Sequence, residues 1–408
     1  MPKPYDNLFL QIANFQALIK AAQKAVLGKR NKPGAAKFMA NLEKECLALE
    51  HELQTGSYQP GRYKIIHIKS PKERMVSAAP FRDRVVHHAL CQVIDPLIEP
   101  SFIYDSYANR KNKGTHKAIM RYEKYRDRYQ YVLRCDLYRY FPSIDHEILK
   151  RDFRKFIACS QSLGLMDLIV DHSNPQERVN LYFAGDDLFS PYVRRRGLPI
   201  GNLTSQFFAN LYLNGMDHFI KEVLKAKGYV RYVDDFALFS DSISQLEAWE
   251  NKIADYLMGR RLKLHPRKVW IAKTNQPTQF LGYELYQGYR RLPEDNIRRF
   301  RGRFRSMQDK VKAGSLSLQE LHCAVKAWEG HAGFANTWRL RHSIFKNSLL
   351  QSVIEACPSP CDKHVLRGGS WNNNPNNLRS ANRNRNNTDN RNNNNGFRLS
   401  RTASYQGH

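Results

Sequence analysis

The 408-residue sequence contains no apolar run approaching the roughly 20 residues that a membrane-spanning helix requires. Its opening residues, Met1-Pro2-Lys3-Pro4-Tyr5-Asp6, lack the apolar centre of a secretion signal. Both absences speak against a membrane role and leave the cytoplasm as the expected compartment. Cysteine is too scattered for a disulfide framework: seven residues, an odd number, at positions 46, 91, 135, 159, 323, 357 and 361. Only Cys357 and Cys361 lie close together, with His364 just beyond. A structural zinc site takes four ligands, usually as two tight pairs, so reduced thiols are the reading. Acidic side chains are also in short supply, 38 Asp and Glu against 65 Lys and Arg, for a net charge of +27. That excess is larger than solubility asks for and points to a polyanionic partner. With a membrane surface disfavoured, the partner is a nucleic acid.

The most informative stretch that is present is Tyr229-Val230-Arg231-Tyr232-Val233-Asp234-Asp235-Phe236-Ala237-Leu238-Phe239. Two β-branched and aromatic runs flank adjacent carboxylates, which reads as a hairpin with Asp234 and Asp235 at its tip. Like charges held side by side are costly, so either the pair faces water or a divalent cation neutralises it. A second acidic position, Asp136, ends the apolar run Tyr131-Val132-Leu133-Arg134-Cys135 and has no local role. Asp145, by contrast, stands where a helix begins and reads as its N-cap. A second Asp pair, in Gly185-Asp186-Asp187, is expected to be a plain turn in a hairpin between a helical stretch and Gly197.

Between these clusters, Gly197-Leu198-Pro199-Ile200-Gly201-Asn202 forms a glycine-rich turn into an amphipathic helix that includes Gln206. Small residues there allow something to approach closely. Upstream, residues 5–55 carry helical periodicity interrupted by a basic loop, Gly28 to Gly34, which is either a solvated connector or a phosphate contact. Tyr63 to Ile68 looks like a strand, and Lys72 and Arg74 share a face if the following segment is extended, two cations suited to a triphosphate. A buried helix is expected from Val85 to Leu97. The basic segment 106–116, with Arg110 and Lys113, and the helix after it suit a grip on a nucleic-acid backbone. A helix over about 243–259 follows the hairpin. Residues 290–350, with Arg298, Arg299, Arg301, Arg303 and Arg305, read as a basic helical unit gripping a duplex.

An acidic strand end, a glycine-turn helix and an Asp-Asp hairpin, in that order, are the parts a templated polymerase needs. Transfer of a nucleotidyl group to a primer 3′-hydroxyl uses two cations, and magnesium needs few protein carboxylates. From about residue 60 to 345 the chain resembles a reverse transcriptase. The resemblance implies an α+β right-hand fold with an antiparallel palm sheet, a helical N-terminal region and a helical thumb. The expected division is a helical extension at 1–60, fingers and palm at 61–284, thumb at 285–355 and an Asn-rich tail at 356–408. It implies Asp136, Asp234 and Asp235 as ligands of two Mg²⁺ ions (Mn²⁺ as a substitute). It also implies Lys72 and Arg74 as triphosphate-holding cations and Phe141 as the aromatic beneath the sugar. Lys268 matches the lysine that protonates departing pyrophosphate, and Phe280-Leu281-Gly282-Tyr283 matches the primer-grip hairpin. Template RNA, a primer strand and dNTPs are the implied partners.

One departure narrows the resemblance. Most reverse transcriptases carry Gln-Gly at the glycine turn; here it is Ile200-Gly201, with Gln206 five residues on. Losing a hydrogen-bonding side chain beside the nucleotide weakens discrimination. The pattern is similar to reverse transcriptases of diversity-generating retroelements, bacterial or phage-encoded enzymes that copy a template RNA with errors at adenines and work with a small basic accessory protein. The alternatives are a retron or intron-derived reverse transcriptase, or a non-catalytic RNA-binding protein on a polymerase fold. Asn makes up about half of residues 371–397, a composition that can hardly pack a core. Yet Arg367-Gly368-Gly369-Ser370-Trp371 and Gly396-Phe397-Arg398-Leu399 resemble the end of formylglycine-generating-enzyme-like domains, which include the variable proteins of such elements. Asn codons begin with two adenines, so residues 365–399 are expected to be a translated template repeat whose function lies in the RNA.

Overall fold

The computed structural model describes residues 4–68, 73–174 and 176–346, together with the backbone of two short strands at 363–365 and 385–387. The N-terminal region is helical: α1 (Phe9–Ile12), α2 (Phe15–Ala25), α3 (Pro33–Ala40) and α4 (Leu42–Gln54). Asn14 caps α2 by accepting from the Ala17 amide, and Pro33 opens α3 at a position where its missing N–H costs nothing. The basic loop at 28–32 connects α2 to α3. The buried face of α2 (Leu18, Ala21, Ala22, Ala25) packs on α5 (Phe81–Ile98). Val85, Val86, Ala89, Leu90, Ile94 and Ile98 of α5 are buried in turn. Before it, β1 (Lys64–Ile68) and β2 (Arg74–Ala78) pair antiparallel.

After α6 (Thr115–Arg126) comes the central sheet, built from β3 (Tyr131–Asp136), β4 (Gly228–Tyr232), β5 (Asp235–Ser240) and β6 (Trp270–Lys273). Its order is β4-β5-β3-β6 and every neighbouring pair is antiparallel. Strands β3, β4 and β5 are buried along nearly their whole length, because helices cover them: α6 packs on β4 and β5, and α13 (Ile243–Gly259) on β3 and β5. Between β3 and β4 the chain runs through α7 (Tyr140–Ser143), α8 (His146–Arg154), α9 (Ser160–Asp171), α10 (Ser190–Val193), α11 (Leu203–Tyr212) and α12 (Asn214–His218). The expected amphipathic helix is α11, but it is buried on nearly all sides, wedged against α5 and α8.

Downstream, β7 (Thr278–Phe280), β8 (Tyr283–Tyr286) and β9 (Tyr289–Arg291) form a second antiparallel sheet. Three helices follow, α14 (Glu294–Lys312), α15 (Leu318–Ala332) and α16 (Trp338–Phe345), the second opened by a capping box between Ser317 and Glu320. Phe300, Phe304, Trp328 and Phe345 form their aromatic core, with Phe300 and Trp328 stacked at 3.8 Å. The strands β10 (Lys363–Val365) and β11 (Arg385–Asn387) pair antiparallel. The remaining tail, with Cys357 and Cys361, and Lys72 lie outside the described residues. Among the described residues no helix is long and apolar enough to cross a membrane.

Candidate active site

The register of the central sheet brings the two acidic clusters together. Asp136 ends β3 directly opposite Asp235, which begins β5, and the Leu137 amide donates to the Asp234 carbonyl at 3.2 Å. Asp234 itself sits in the two-residue turn Val233-Asp234 between β4 and β5. Val233 has φ +59, an uncommon conformation for a β-branched residue and a mark of local strain. Arg231 holds that turn. Its guanidinium donates to the Val233 carbonyl (2.9 Å), to Asn210 on α11 (3.3 Å) and to Ser106 (3.1 Å), and it pairs with Asp217 on α12 at 2.6 and 2.8 Å. Arg231 and Asp217 are both wholly buried, and Tyr229 donates to the same carboxylate.

Charge is unevenly shared among the three carboxylates. Burial, reinforced by Asp136, pushes Asp234 up to about 7. Burial also raises Asp235, opposed by Arg134, whose guanidinium donates to it at 2.7 Å. Lys268, in the loop between α13 and β6, places its ammonium 2.9 Å from Oδ2 of Asp136. So among the described residues no three acidic, His or Cys groups close into a ready metal cage. The donor set nevertheless fits magnesium, a hard cation that is commonly held by one or two carboxylates plus substrate phosphates.

The glycine turn abuts the β1–β2 hairpin. Gly201 has φ +117, and a Cβ there would come within 2.9 Å of Val76 Cγ1. The Ser77 amide donates to the Ile200 carbonyl at 3.0 Å, while Asn202 accepts from Ala79 N and donates to Ser77 O, both at 3.2 Å. The close approach that the glycine permits is thus made by strand β2. Ile200 is partly buried against the core, and Gln206 lies on the partly exposed edge of α11. Phe141 is buried on α7, edge-on to Tyr140, and its carbonyl accepts from Leu198 N, which joins α7 to the glycine turn. Arg74 is exposed at the start of β2.

The segment 278–283 forms a tight hairpin through Leu281 (φ +48) and Gly282 (φ +84), the paired positive values of a type I′ turn. Tyr283 joins it to both sides: His116 on α6 lies 3.1 Å from its hydroxyl and His331 on α15 at 2.6 Å. On α14, Arg298 is exposed and paired with Asp295, and Arg303 is exposed.

Two basic residues make contacts inside their own loop, and one expectation, the hairpin at Gly185, needs correction. Arg110 is held within its own loop: its guanidinium donates to the Ile103 and Ser106 carbonyls and pairs with Glu99. Lys113 is likewise committed, donating to Tyr104 O at 2.7 Å with its ammonium over the Tyr104 ring. Gly185-Asp186-Asp187 is a turn but not a hairpin, since no strands flank it. Asp186 pairs with Arg194, and Asp187 accepts from the Phe189 and Ser190 amides at the start of α10. Asp145 caps α8 as expected, accepting from Ile148 N, and is also paired with Arg261. The sequence reading passed over Arg134 and Arg231. A charged residue inside an otherwise apolar strand is the signal that would have found both.

A family model described as reverse transcriptase (RNA-dependent DNA polymerase) matches residues 66–285, more than half of the chain. The chain belongs to the reverse transcriptase family. This reverse transcriptase is similar to the protein YkfC of Escherichia coli K12, 24% identical over 324 residues, covering 67% of this chain and 82% of that one. It is also similar to the putative COX1/OXI3 intron 1 protein of Saccharomyces cerevisiae, 23% identical, covering 58% of this chain and 34% of that protein. The group II intron-encoded protein LtrA of Lactococcus lactis is 20% identical, with 60% of this chain and 50% of LtrA covered. The reverse transcriptase therefore spans half or less of the intron-encoded proteins it matches. A second family model, described as a sulfatase-modifying factor enzyme 1-like domain, matches residues 322–403.

Proposed function

We propose that the protein extends a primer on template RNA with Asp136 and Asp234 as the principal holders of two magnesium ions. The meeting of Asp136, Asp234 and Asp235 across β3 and β5 is the observation that carries this reading. Bound with the triphosphate, the ions lower the pKa of the attacking hydroxyl and offset charge on the departing pyrophosphate. The chain's own residues do the rest. Arg231 holds the strained turn that aims Asp234, and Asn202 locks the glycine turn onto β2 beneath the incoming nucleotide. Phe141 supports the sugar, Arg74 and Lys72 hold the triphosphate, and Lys268, released from Asp136, supplies a proton to pyrophosphate. Primer extension by the purified protein on an RNA template, with and without magnesium chloride, tests this. No incorporation in either condition rules it out.

The finer reading is a diversity-generating retroelement enzyme, mutagenic at adenines. Ile200 supports it, as does the match of residues 322–403 to a sulfatase-modifying-factor-like domain, which agrees with a translated template repeat in the tail. A small basic accessory protein belongs to the same reading. Sequencing cDNA copied from an adenine-containing template decides it: errors concentrated opposite adenine support the reading, and uniform fidelity favours an intron- or retron-type enzyme. The coding DNA offers a second check, because a template repeat has a near-copy in a neighbouring gene that differs mainly at adenines.

A further inference from the structure

Arg134 lies two residues before Asp136 on β3, so both side chains leave the same face of the sheet. Its cross-strand partner on β5 is Ala237, and Asp235, two residues along, is its diagonal neighbour. The small Ala237 leaves the guanidinium free to lean along the sheet. One edge donates to Asp235 Oδ1 at 2.7 Å, and another nitrogen donates to the Gln279 carbonyl on β7 at 3.0 Å. Its Cζ lies 4.6 Å from the Phe280 ring centroid, with the Tyr122 and Trp270 centroids at 5.6 and 5.8 Å. The Arg134 side chain is 9% exposed and that of Asp235 26%.

Resting on the polymerase reading of Asp136 and Asp234, we propose that Arg134 is a positioning residue that ties Asp235 to the β7–β8 hairpin. The hairpin that faces the primer and the strand ends that hold the cations then move as one body. The physical reason is geometric. A planar guanidinium serves acceptors in two directions while stacking on an aromatic ring, which an ammonium cannot do. Asp235 is thereby a strut whose charge is answered inside the protein, and Asp136 and Asp234 are left to answer the cations. The same contact explains why the tight turn at Leu281-Gly282 stays in register with a strand far from it in the chain: the carbonyl just before Phe280 is pinned from β3.

The test uses the full chain with a primer–template and three variants, Arg134→Lys, Arg134→Met and the charge-matched double variant Arg134→Met/Asp235→Asn. Losing the bond to Gln279 should raise the primer–template KM at least about fivefold in all three, the equivalent of one hydrogen bond of about 1 kcal/mol. The dNTP KM should move less. Arg134→Met leaves Asp235 uncompensated beside Asp136 and Asp234, so half-saturating magnesium should fall by roughly threefold or more. The double variant should return the magnesium dependence to the wild-type value while its primer KM stays high. Thermal melting reports folding separately. If Arg134→Met does not fold, Arg134→Lys decides: a raised primer KM supports the coupling and an unchanged one overturns it. Folded variants whose primer KM and magnesium dependence both match wild type also overturn it. Loss of the polymerase reading shows differently, as full activity in Asp136→Asn and Asp234→Asn.

Discussion

The ammonium of Lys268 lies 2.9 Å from Oδ2 of Asp136, although 132 positions separate the two residues in the chain. A carboxylate paired with a lysine must exchange that partner before it can hold a divalent ion. Lys268→Ala should therefore tighten magnesium binding while lowering kcat by roughly 10²-fold, the scale of a lost general acid. Primer-extension rates across a magnesium titration measure both. A kcat that stays at the wild-type level would remove Lys268 from the chemistry.

Removing either principal carboxylate has a different signature. Asp136→Asn and Asp234→Asn should each depress nucleotide addition by roughly 10³-fold or more. Asp234→Asn should melt no lower than wild type, since the amide ends the repulsion from Asp136, whereas Asp136→Asn also gives up its partly exposed pair with Lys268. Single-turnover extension and a thermal melt, run on the same preparations, check the two halves. Activity within tenfold of wild type, on the order of 1.4 kcal/mol in the barrier, would contradict the assignment.

Asp234 predicts a pH dependence with a definite sign. Burial and Asp136 raise its folded-state value from 3.8 to about 7, so between those values the folded chain keeps a proton that the unfolded chain has lost. The stability this contributes is full below the unfolded value and is lost as pH rises through about 7. Metal-free wild type should thus lose stability relative to Asp234→Asn across that window. Magnesium competes with the same proton, so its stabilising effect should grow over the same range. Melting curves of both proteins, with and without magnesium chloride, read the difference.

The buried pair behind the turn makes a prediction about folding. Arg231→Met leaves the Asp217 carboxylate without a cation and with no exposure to water, held by the Tyr229 hydroxyl alone among these partners, a loss of about 3–5 kcal/mol. Arg231→Met/Asp217→Leu removes both charges and should recover much of that stability. It should not recover activity, because the Val233 carbonyl still lacks its donor and the strained turn is free to relax. Denaturant unfolding and primer extension separate the two effects. A double variant with wild-type activity would show that Arg231 serves folding alone.

Much of the architecture was legible because its cause is local. β-Branched and aromatic residues around Asp234-Asp235 specify the two strands of the hairpin, and the Ser242 cap and apolar spacing specify α13 over Ile243–Gly259. The Asp145 cap was readable for the same reason, since it bonds an amide three residues away. The contacts of Arg110 and Lys113 were not legible, because a basic loop looks alike whether its cations face solvent or fold back onto their own carbonyls. Only packing distinguishes those cases. The Gly185 turn was read correctly as a turn, yet the strands expected beside it do not form.

The linear order of residues determined which chemistry was on offer: carboxylates at a strand end and a hairpin, a glycine turn between them, and cations in excess. Tertiary structure alone decided how those charges are shared. Asp235 went to Arg134 and Asp136 to Lys268, while Asp234 was left raised by burial. The reason is that side-chain periodicity fixes which face a residue uses, whereas cross-strand register and the closing of the β7–β8 hairpin over the sheet fix which charges meet there.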